Sequence, residues 1–214
     1  MKKKYAIIVA GGSGTRMQTS IPKQFLKIQG KPIIFLTLEK FLEEDSDNVL
    51  IVVLPEDQFE NWDNILSDYP ALANVKITAG GKTRSESVRE GLKMIKDVDG
   101  IVAIHDAVRP FVSVDIIRNS YKQALMKGSA VTSIPLKDSI RELTSNGNTA
   151  RNRNDFVLVQ TPQTFDLKLI KQAYEVNIGD FSDDATVFEK EHGSVNLISG
   201  SDRNIKITTK ADLR

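Results

Sequence analysis

The sequence predicts one α/β domain, a mostly parallel sheet covered by helices on both faces, with a β-hairpin arm projecting from it. Three observations predict it. Short β-branched runs alternate with amphipathic stretches from the start of the chain. The runs are apolar at nearly every position, as expected of strands buried on both faces. Repeated strand-then-helix order places helices in the crossovers between parallel strands. No internal repeat or low-complexity linker interrupts the 214 residues, so residues 1–214 read as a single domain.

Tyr5–Ala10 reads as a buried strand, and Ile33–Glu44 as a helix with Ile34, Leu38, Phe41 and Leu42 on one side. Val49–Leu54 is the next strand and Glu56–Tyr69 the next helix. Val75–Ala79 is a strand, followed by a helix over Ser85–Lys96 with Val88, Leu92 and Ile95 at helical spacing. Ile101–Ile104, Val114–Met126 and Ala130–Pro135 continue the alternation as strand, helix and strand. The whole is a Rossmann-like arrangement. The polar stretch 137–159 breaks the rhythm, with Ser145-Asn146-Gly147-Asn148 at its middle. Asn-Gly between extended segments signals a hairpin, so Ser139–Leu143 and Thr149–Arg153 are expected to form the arm. A two-stranded hairpin with little apolar content is marginal alone, so the arm is expected to pack against another surface, a second subunit among the candidates, with a solvated excursion as the alternative.

Composition removes whole classes of function. There is no cysteine, which excludes disulfides, zinc–thiolate sites and a cysteine nucleophile. Lys and Arg number 29 against 28 for Asp and Glu, without the basic excess of a nucleic-acid binder. No apolar run approaches the ~20 residues of a membrane span. Met1-Lys2-Lys3-Lys4 leads into a short apolar run ending at Gly11-Gly12, a first strand rather than a secretory signal. These features predict a cytoplasmic protein with neither nucleic-acid nor membrane partners.

The first strand ends in Ala10-Gly11-Gly12-Ser13-Gly14-Thr15-Arg16-Met17. Glycine lets backbone approach a phosphate closely, and successive N–H groups form an anion-binding concavity. A P-loop would end in Gly-Lys-Ser/Thr, and a dinucleotide fingerprint would carry Gly or Ala where Met17 stands. Instead the loop carries Arg16, followed by Lys23 in Pro22-Lys23-Gln24. A guanidinium fork and a compact ammonium are both suited to phosphate oxygens.

Ala-Gly-Gly-x-Gly-x-Arg-Met followed by Pro-Lys-Gln resembles the cytidylyltransferases that act on 2-C-methyl-D-erythritol 4-phosphate in the non-mevalonate isoprenoid pathway. The resemblance continues through Gly80-Gly81-x-Thr83-Arg84-x-Glu86-Ser87-Val88, His105-Asp106-Ala107-Val108-Arg109-Pro110, Thr161-Pro162-Gln163, Asp183-Asp184-Ala185 and Asn204-Ile205-Lys206-Ile207-Thr208. It implies transfer of CMP from CTP to the sugar-alcohol phosphate, with pyrophosphate released. A phosphomonoester with a second pKa of about 6 is largely dianionic at neutral pH, so attack on the α-phosphorus needs positioning and charge stabilisation rather than a general base.

By that resemblance Arg16 and Lys23 neutralise the triphosphate and stabilise the transition state. Ala10, Gly11, Gly12, Gly81, Lys82 and Ser87 surround the cytosine and ribose. Asp106, after a buried strand, holds Mg²⁺ or another divalent ion, and Arg109 contacts the substrate. Arg153, eight residues before Thr161, grips the sugar phosphate. Ser139 stands at a family threonine position with a similar contact, and Lys206, on a late strand, orients the substrate phosphate. Arg151 reads as a solvated neighbour. In the family the arm reaches across a homodimer, so each site would use both subunits.

Two departures stand out. The carboxylate usual in the family three residues before the lysine of Asn-Ile-Lys is replaced by Arg203, with Asp202 one residue earlier, so either Asp202 is the second metal ligand or the metal rests on Asp106 and the triphosphate. The chain ends at Leu213-Arg214 where the family has a further helix, which suggests a short tail or a truncation. His105 reads as a strand-end residue satisfied locally, His192 beside Gly193 as a C-terminal helix cap, and Trp62 as packing. A ribitol 5-phosphate cytidylyltransferase of the same fold is the nearest rival. A non-catalytic nucleotide-binding regulatory module is a rival of another class, disfavoured because Arg16, Lys23, Asp106, Arg153 and Lys206 are all present.

Overall fold

The computed structural model describes residues 2–11 and 21–213. Strand β1 (Lys4–Val9) opens the chain. A 3-10 turn at Lys23–Phe25 and the short pair β2 (Lys27–Ile28) and β3 (Lys31–Pro32) lead into helix α1 (Ile33–Glu44). Then come β4 (Val49–Leu54), α2 (Phe59–Asp68), β5 (Lys76–Ala79), α3 (Arg84–Lys93), β6 (Ile101–Asp106), α4 (Val114–Lys127) and β7 (Ser129–Pro135). The arm is β8 (Ile140–Thr144) paired with β9 (Gly147–Arg151). The chain returns as β10 (Val157–Asp166), then α5 (Leu167–Val176), α6 (Asp184–His192) and β11 (Leu197–Ser199).

The main sheet has seven strands in the order β11-β7-β10-β6-β1-β4-β5. All neighbours are parallel except those of β10, which runs antiparallel to both β6 and β7. The two-residue period of the strands sorts their side chains into two layers. Ala6, Ile8, Leu50 and Val52 pack against Leu38, Phe41, Trp62 and Tyr121 from α1, α2 and α4. Tyr5, Ile7, Ile51 and Val53 face Val88, Leu92, Tyr174 and Phe188 from α3, α5 and α6. Burial of each valine, leucine, isoleucine or phenylalanine among them contributes ~1.5–3 kcal/mol, so the two apolar faces hold the layers together. Caps add to this: Thr83, Ser113, Asp166 and Asp183 each accept backbone N–H bonds at the first turns of α3 to α6, worth ~1 kcal/mol apiece. No helix among the described residues is long and apolar enough to cross a membrane.

From β1 the chain winds outward to β4 and β5, then crosses back to β6 on the other side. That reversal leaves a crevice at the carboxyl ends of β1 and β6, where open α/β sheets bind ligands.

The fold corrects several expectations. Strand β6 runs through Asp106, so that carboxylate is the strand's last residue rather than the one after it. The helix expected from Glu56 starts as a 3-10 turn, Glu56–Gln58, because Pro55 fixes an extended backbone just before it. Helix α3 stops at Lys93, and the N–H groups of Met94 and Ile95 tighten onto Gly91 and Leu92 in three-residue turns. The arm turns at Ser145–Asn146, with Gly147 (φ 125°) already paired to Thr144. That tighter turn shifts the register and leaves Arg153 outside the strand, in a 3-10 turn capped by the Asn152 side chain. Lys206 is not on a strand. Its segment is tied to the body through Ile207 N–H donating to the Val108 carbonyl, 2.9 Å away. Gly193, not His192, caps α6, and His192 Nε2 instead lies 3.1 Å from the Leu169 carbonyl of α5. Trp62 is buried as a packing residue.

Candidate active site

Two clefts open at the carboxyl ends of the central strands. The first, of about 270 Å³, is lined by Ala10, Gly11, Lys23, Gly81, Lys82 and Ser87, with Asp106 and Lys206 at its far side. The second, of about 240 Å³, is lined by Arg109, Thr161, Gln163 and Asp183 among others. Arg84, Asp106 and Lys206 line both and so mark their junction.

Local structure explains why these residues meet. Ala10 N–H donates to Val53 O at 2.9 Å, extending the β1–β4 ladder into the cleft. Buried Gln24 donates from Nε2 to the Ala10 carbonyl at 2.9 Å, which pins the turn carrying Lys23 against the end of β1. After β5 the chain turns through Gly80 and Gly81. A Cβ on Gly81 would stand 2.3 Å from that of Glu86, so only glycine fits. Glu86 accepts the Lys82 N–H at 2.7 Å while Thr83 accepts the Glu86 N–H, a reciprocal cap that presents the turn at the start of α3. Ser87 Oγ donates to Thr83 O at 2.9 Å, which leaves its lone pairs as acceptors.

Asp106 is 7% exposed and ringed by cations: Lys206 Nζ at 3.1 Å, Arg109 Nε at 3.2 Å and Arg84 Nε at 3.8 Å. Burial opposes its ionisation, but Lys206, Arg84 and Arg109 together hold its carboxyl well below the usual carboxylate range. Arg109 also donates to the Asn204 carbonyl at 2.7 Å, tying the segment that carries Lys206 to β6. His105 is fully buried behind Asp106, with Nδ1 3.0 Å from Thr161 Oγ1 and Nε2 3.3 Å from Arg109 O. Burial pushes its pKa down to about 4, so at neutral pH it is an uncharged support.

The sequence-predicted residues divide accordingly. Ala10, Gly11, Lys23, Gly81, Lys82, Ser87, Asp106 and Lys206 converge on the first cleft, and Arg109 reaches the second. Gly12 and Arg16 lie outside the described residues. Arg153 and Ser139 line neither cleft; both are exposed at the base of the arm, where Arg153 Nη1 donates to Lys137 O. Asp202 likewise lines neither cleft and pairs with Lys137 on the surface. Arg151 is not merely solvated: its Nε donates to Glu142 across the hairpin at 2.9 Å. The sequence reading assigned no role to Arg84, Gln24 or Thr161. Each stands inside a motif, but its partner is distant in sequence or masked by the motif itself.

Among the described residues no group of three His, Cys, Asp or Glu could hold a metal ion alone. Magnesium usually takes one or two carboxylates plus substrate phosphates. A single ionised Asp106 facing both clefts fits an ion that enters with a triphosphate.

Comparison with known proteins gives a consistent result. The family model described as 2-C-methyl-D-erythritol 4-phosphate cytidylyltransferase matches residues 5–214. A protein of that name from Phocaeicola vulgatus is 42% identical over 212 residues, covering 99% of this chain and 96% of the relative. One from Azobacteroides pseudotrichonymphae is 44% identical over 217 residues, covering 100% and 96%. The crystal structure of a 4-diphosphocytidyl-2C-methyl-D-erythritol synthase from Anaerococcus prevotii superposes with a TM-score of 0.84 at 31% identity, covering 99% of this chain and 93% of that one.

Proposed function

The chain belongs to the 2-C-methyl-D-erythritol 4-phosphate cytidylyltransferase family, and we propose from its two joined clefts how it carries out that family's reaction. It is a nucleotidyltransferase that moves CMP from CTP to 2-C-methyl-D-erythritol 4-phosphate, releasing pyrophosphate, in isoprenoid biosynthesis. The observation that carries the mechanism is the junction at Asp106, where cations from three separate segments converge between one cleft of nucleoside size and another beside it.

CTP occupies the first cleft, its base and ribose against Ala10, Gly11, Gly81 and Ser87, with Lys23 and Arg16 on the triphosphate. An acceptor-only Ser87 hydroxyl suits the amino group of cytosine better than the carbonyl of uracil. The sugar-alcohol phosphate enters from the second cleft, and Lys206 orients its dianionic oxygen towards the α-phosphorus. Attack and departure of pyrophosphate pass charge across a fixed set of cations, the arrangement that stabilises phosphoryl-type transition states. Asp106 would hold Mg²⁺ together with the triphosphate, and the ion would supply neutralisation of phosphate oxygens. The arm and its base expose Leu143, Phe156 and Leu158, 84%, 45% and 52% accessible. This apolar surface suits a homodimer contact that would bring Arg153 and Ser139 of one subunit to the substrate side of the other. A cytoplasmic site of action fits this chemistry of soluble substrates.

The test is pyrophosphate release by the purified protein with CTP and Mg²⁺, comparing 2-C-methyl-D-erythritol 4-phosphate with ribitol 5-phosphate. Release with the first and not the second is expected. Release with ribitol 5-phosphate alone would move the protein to polyol-phosphate activation.

A further inference from the structure

Behind the junction lies a second charged group that the reaction chemistry above does not use. Asp184, the first residue of α6, is completely buried, and both carboxylate oxygens are committed. Oδ1 accepts the Tyr174 hydroxyl of α5 at 2.6 Å, and Oδ2 accepts Arg84 Nη2 at 2.6 Å. Arg84 is the first residue of α3, where the positive end of the helix disfavours a cation. Asp184 sits at the corresponding end of α6, where a negative charge is favoured. The pair therefore holds an arginine where its own helix opposes it.

The guanidinium then faces the chemistry. Its Nε lies 3.8 Å from Asp106 Oδ1, while Arg109 and Lys206 approach Oδ2. Arg84 Nη1 is buried and has no hydrogen-bond partner among the described residues. The orientation of the group thus depends on Asp184 at one end and Asp106 at the other. We propose that Asp184 is a positioning residue for cytidylyl transfer: through its ion pair with Arg84 it aims Asp106 at the junction of the two clefts. Tyr174 sets the carboxylate, the carboxylate sets the guanidinium, and the guanidinium places its charge 3.8 Å from one oxygen of Asp106 while Lys206 and Arg109 pair with the other. The inference rests on the mechanism proposed above, in which Asp106 works at that junction.

A purely structural role is the competing account, since the same three side chains tie α3, α5 and α6 together. Kinetics separates the two. Asp184→Asn, Arg84→Lys and their double variant would be compared with wild type for melting temperature and for kcat and KM in pyrophosphate release. Outer-shell residues of this kind typically carry ~10–100-fold in activity. Each single variant is expected to lose that much in kcat, and for Asp184→Asn, whose side chain lines neither cleft, the KM for CTP should change by less than ~3-fold. The double variant should be no slower than the slower single one, because residues acting as one unit are non-additive. Tyr174→Phe, which keeps both charges, should be folded and slowed by roughly 3–10-fold, less than the ~10–100-fold of the charge variants. Folded variants with wild-type kcat and only a lowered melting temperature would overturn the proposal. So would losses that multiply in the double variant. Should Asp184→Asn not fold, unchanged kcat in both Arg84→Lys and Tyr174→Phe would overturn it equally. A wild-type enzyme with no turnover would instead remove the functional reading beneath it.

Discussion

Replacing Asp106 with Asn removes one negative charge and almost no volume from the point where Lys206, Arg109 and Arg84 converge. The three cations stand 3.1, 3.2 and 3.8 Å from its oxygens, with side chains 39%, 12% and 22% exposed. Removing one partner from a buried ion pair costs ~3–5 kcal/mol, because the other charge is left uncompensated. Here the lower end applies: Lys206 can turn towards solvent and Arg84 keeps Asp184, so Arg109 bears most of the loss. The expected destabilisation is about 3 kcal/mol, which for a domain of this size lowers the melting temperature by ~6–12 °C. The variant also acquires an uncompensated positive hole, so added pyrophosphate should raise its melting temperature more than it raises that of wild type. Turnover should fall ~10²–10³-fold if the loss resembles removal of one transition-state contact. Thermal unfolding with and without pyrophosphate, alongside pyrophosphate-release kinetics, tests all three. A melting temperature within 2 °C of wild type, by the same scale of ~2–4 °C per kcal/mol, would refute Asp106 as the counter-ion of the cluster. Wild-type turnover would refute its place in the reaction.

Other outcomes follow from the same geometry. His105 folds neutral with a pKa near 4 against 6.5 for the free side chain, so the unfolded state binds the extra proton and stability falls as pH drops between those values. Urea unfolding should show about 2 kcal/mol lost between pH 7 and pH 5, and His105→Asn should lack that slope. Gly81→Ala would press a methyl group onto Glu86 Cβ at 2.3 Å; strain of ~1–3 kcal/mol in the turn should appear as a raised KM for CTP. Gln24→Leu removes the bond to Ala10 O and frees the turn bearing Lys23, so kcat/KM should drop by roughly 10²-fold, with stopped-flow or coupled assay as the readout. Leu158→Asp on the exposed base of the arm should convert the proposed dimer into a monomer by analytical ultracentrifugation; a wild-type monomer would remove the dimer from the mechanism.

The alternating apolar runs made most of the α/β architecture legible, because strand and helix periods act over a few residues and survive any tertiary arrangement. Ile33–Glu44 and Val49–Leu54 fall where their patterns put them. The glycine loop and Pro22-Lys23-Gln24 pointed to phosphate for the same reason, since their chemistry is local, whereas the segment around Gly81 drew its nucleotide role only from the family resemblance. Other features depend on partners far along the chain. The antiparallel insertion of β10 between β6 and β7 is chosen by register and packing, to which short-range periodicity is blind. The arm's register lies beyond the local pattern because one residue of turn geometry decides it.

The sequence by itself supplied the candidates for the site: a glycine-rich loop after the first strand, Arg16 and Lys23 as cations suited to phosphate, and Asp106 close behind a buried strand. Only the tertiary structure decided how those charges are held. Asp106 meets Lys206 from 100 residues away, and Arg84 meets Asp184 across the same separation. Coulomb interactions depend on distance in space, and in a buried junction they are strong enough to decide which groups stay charged.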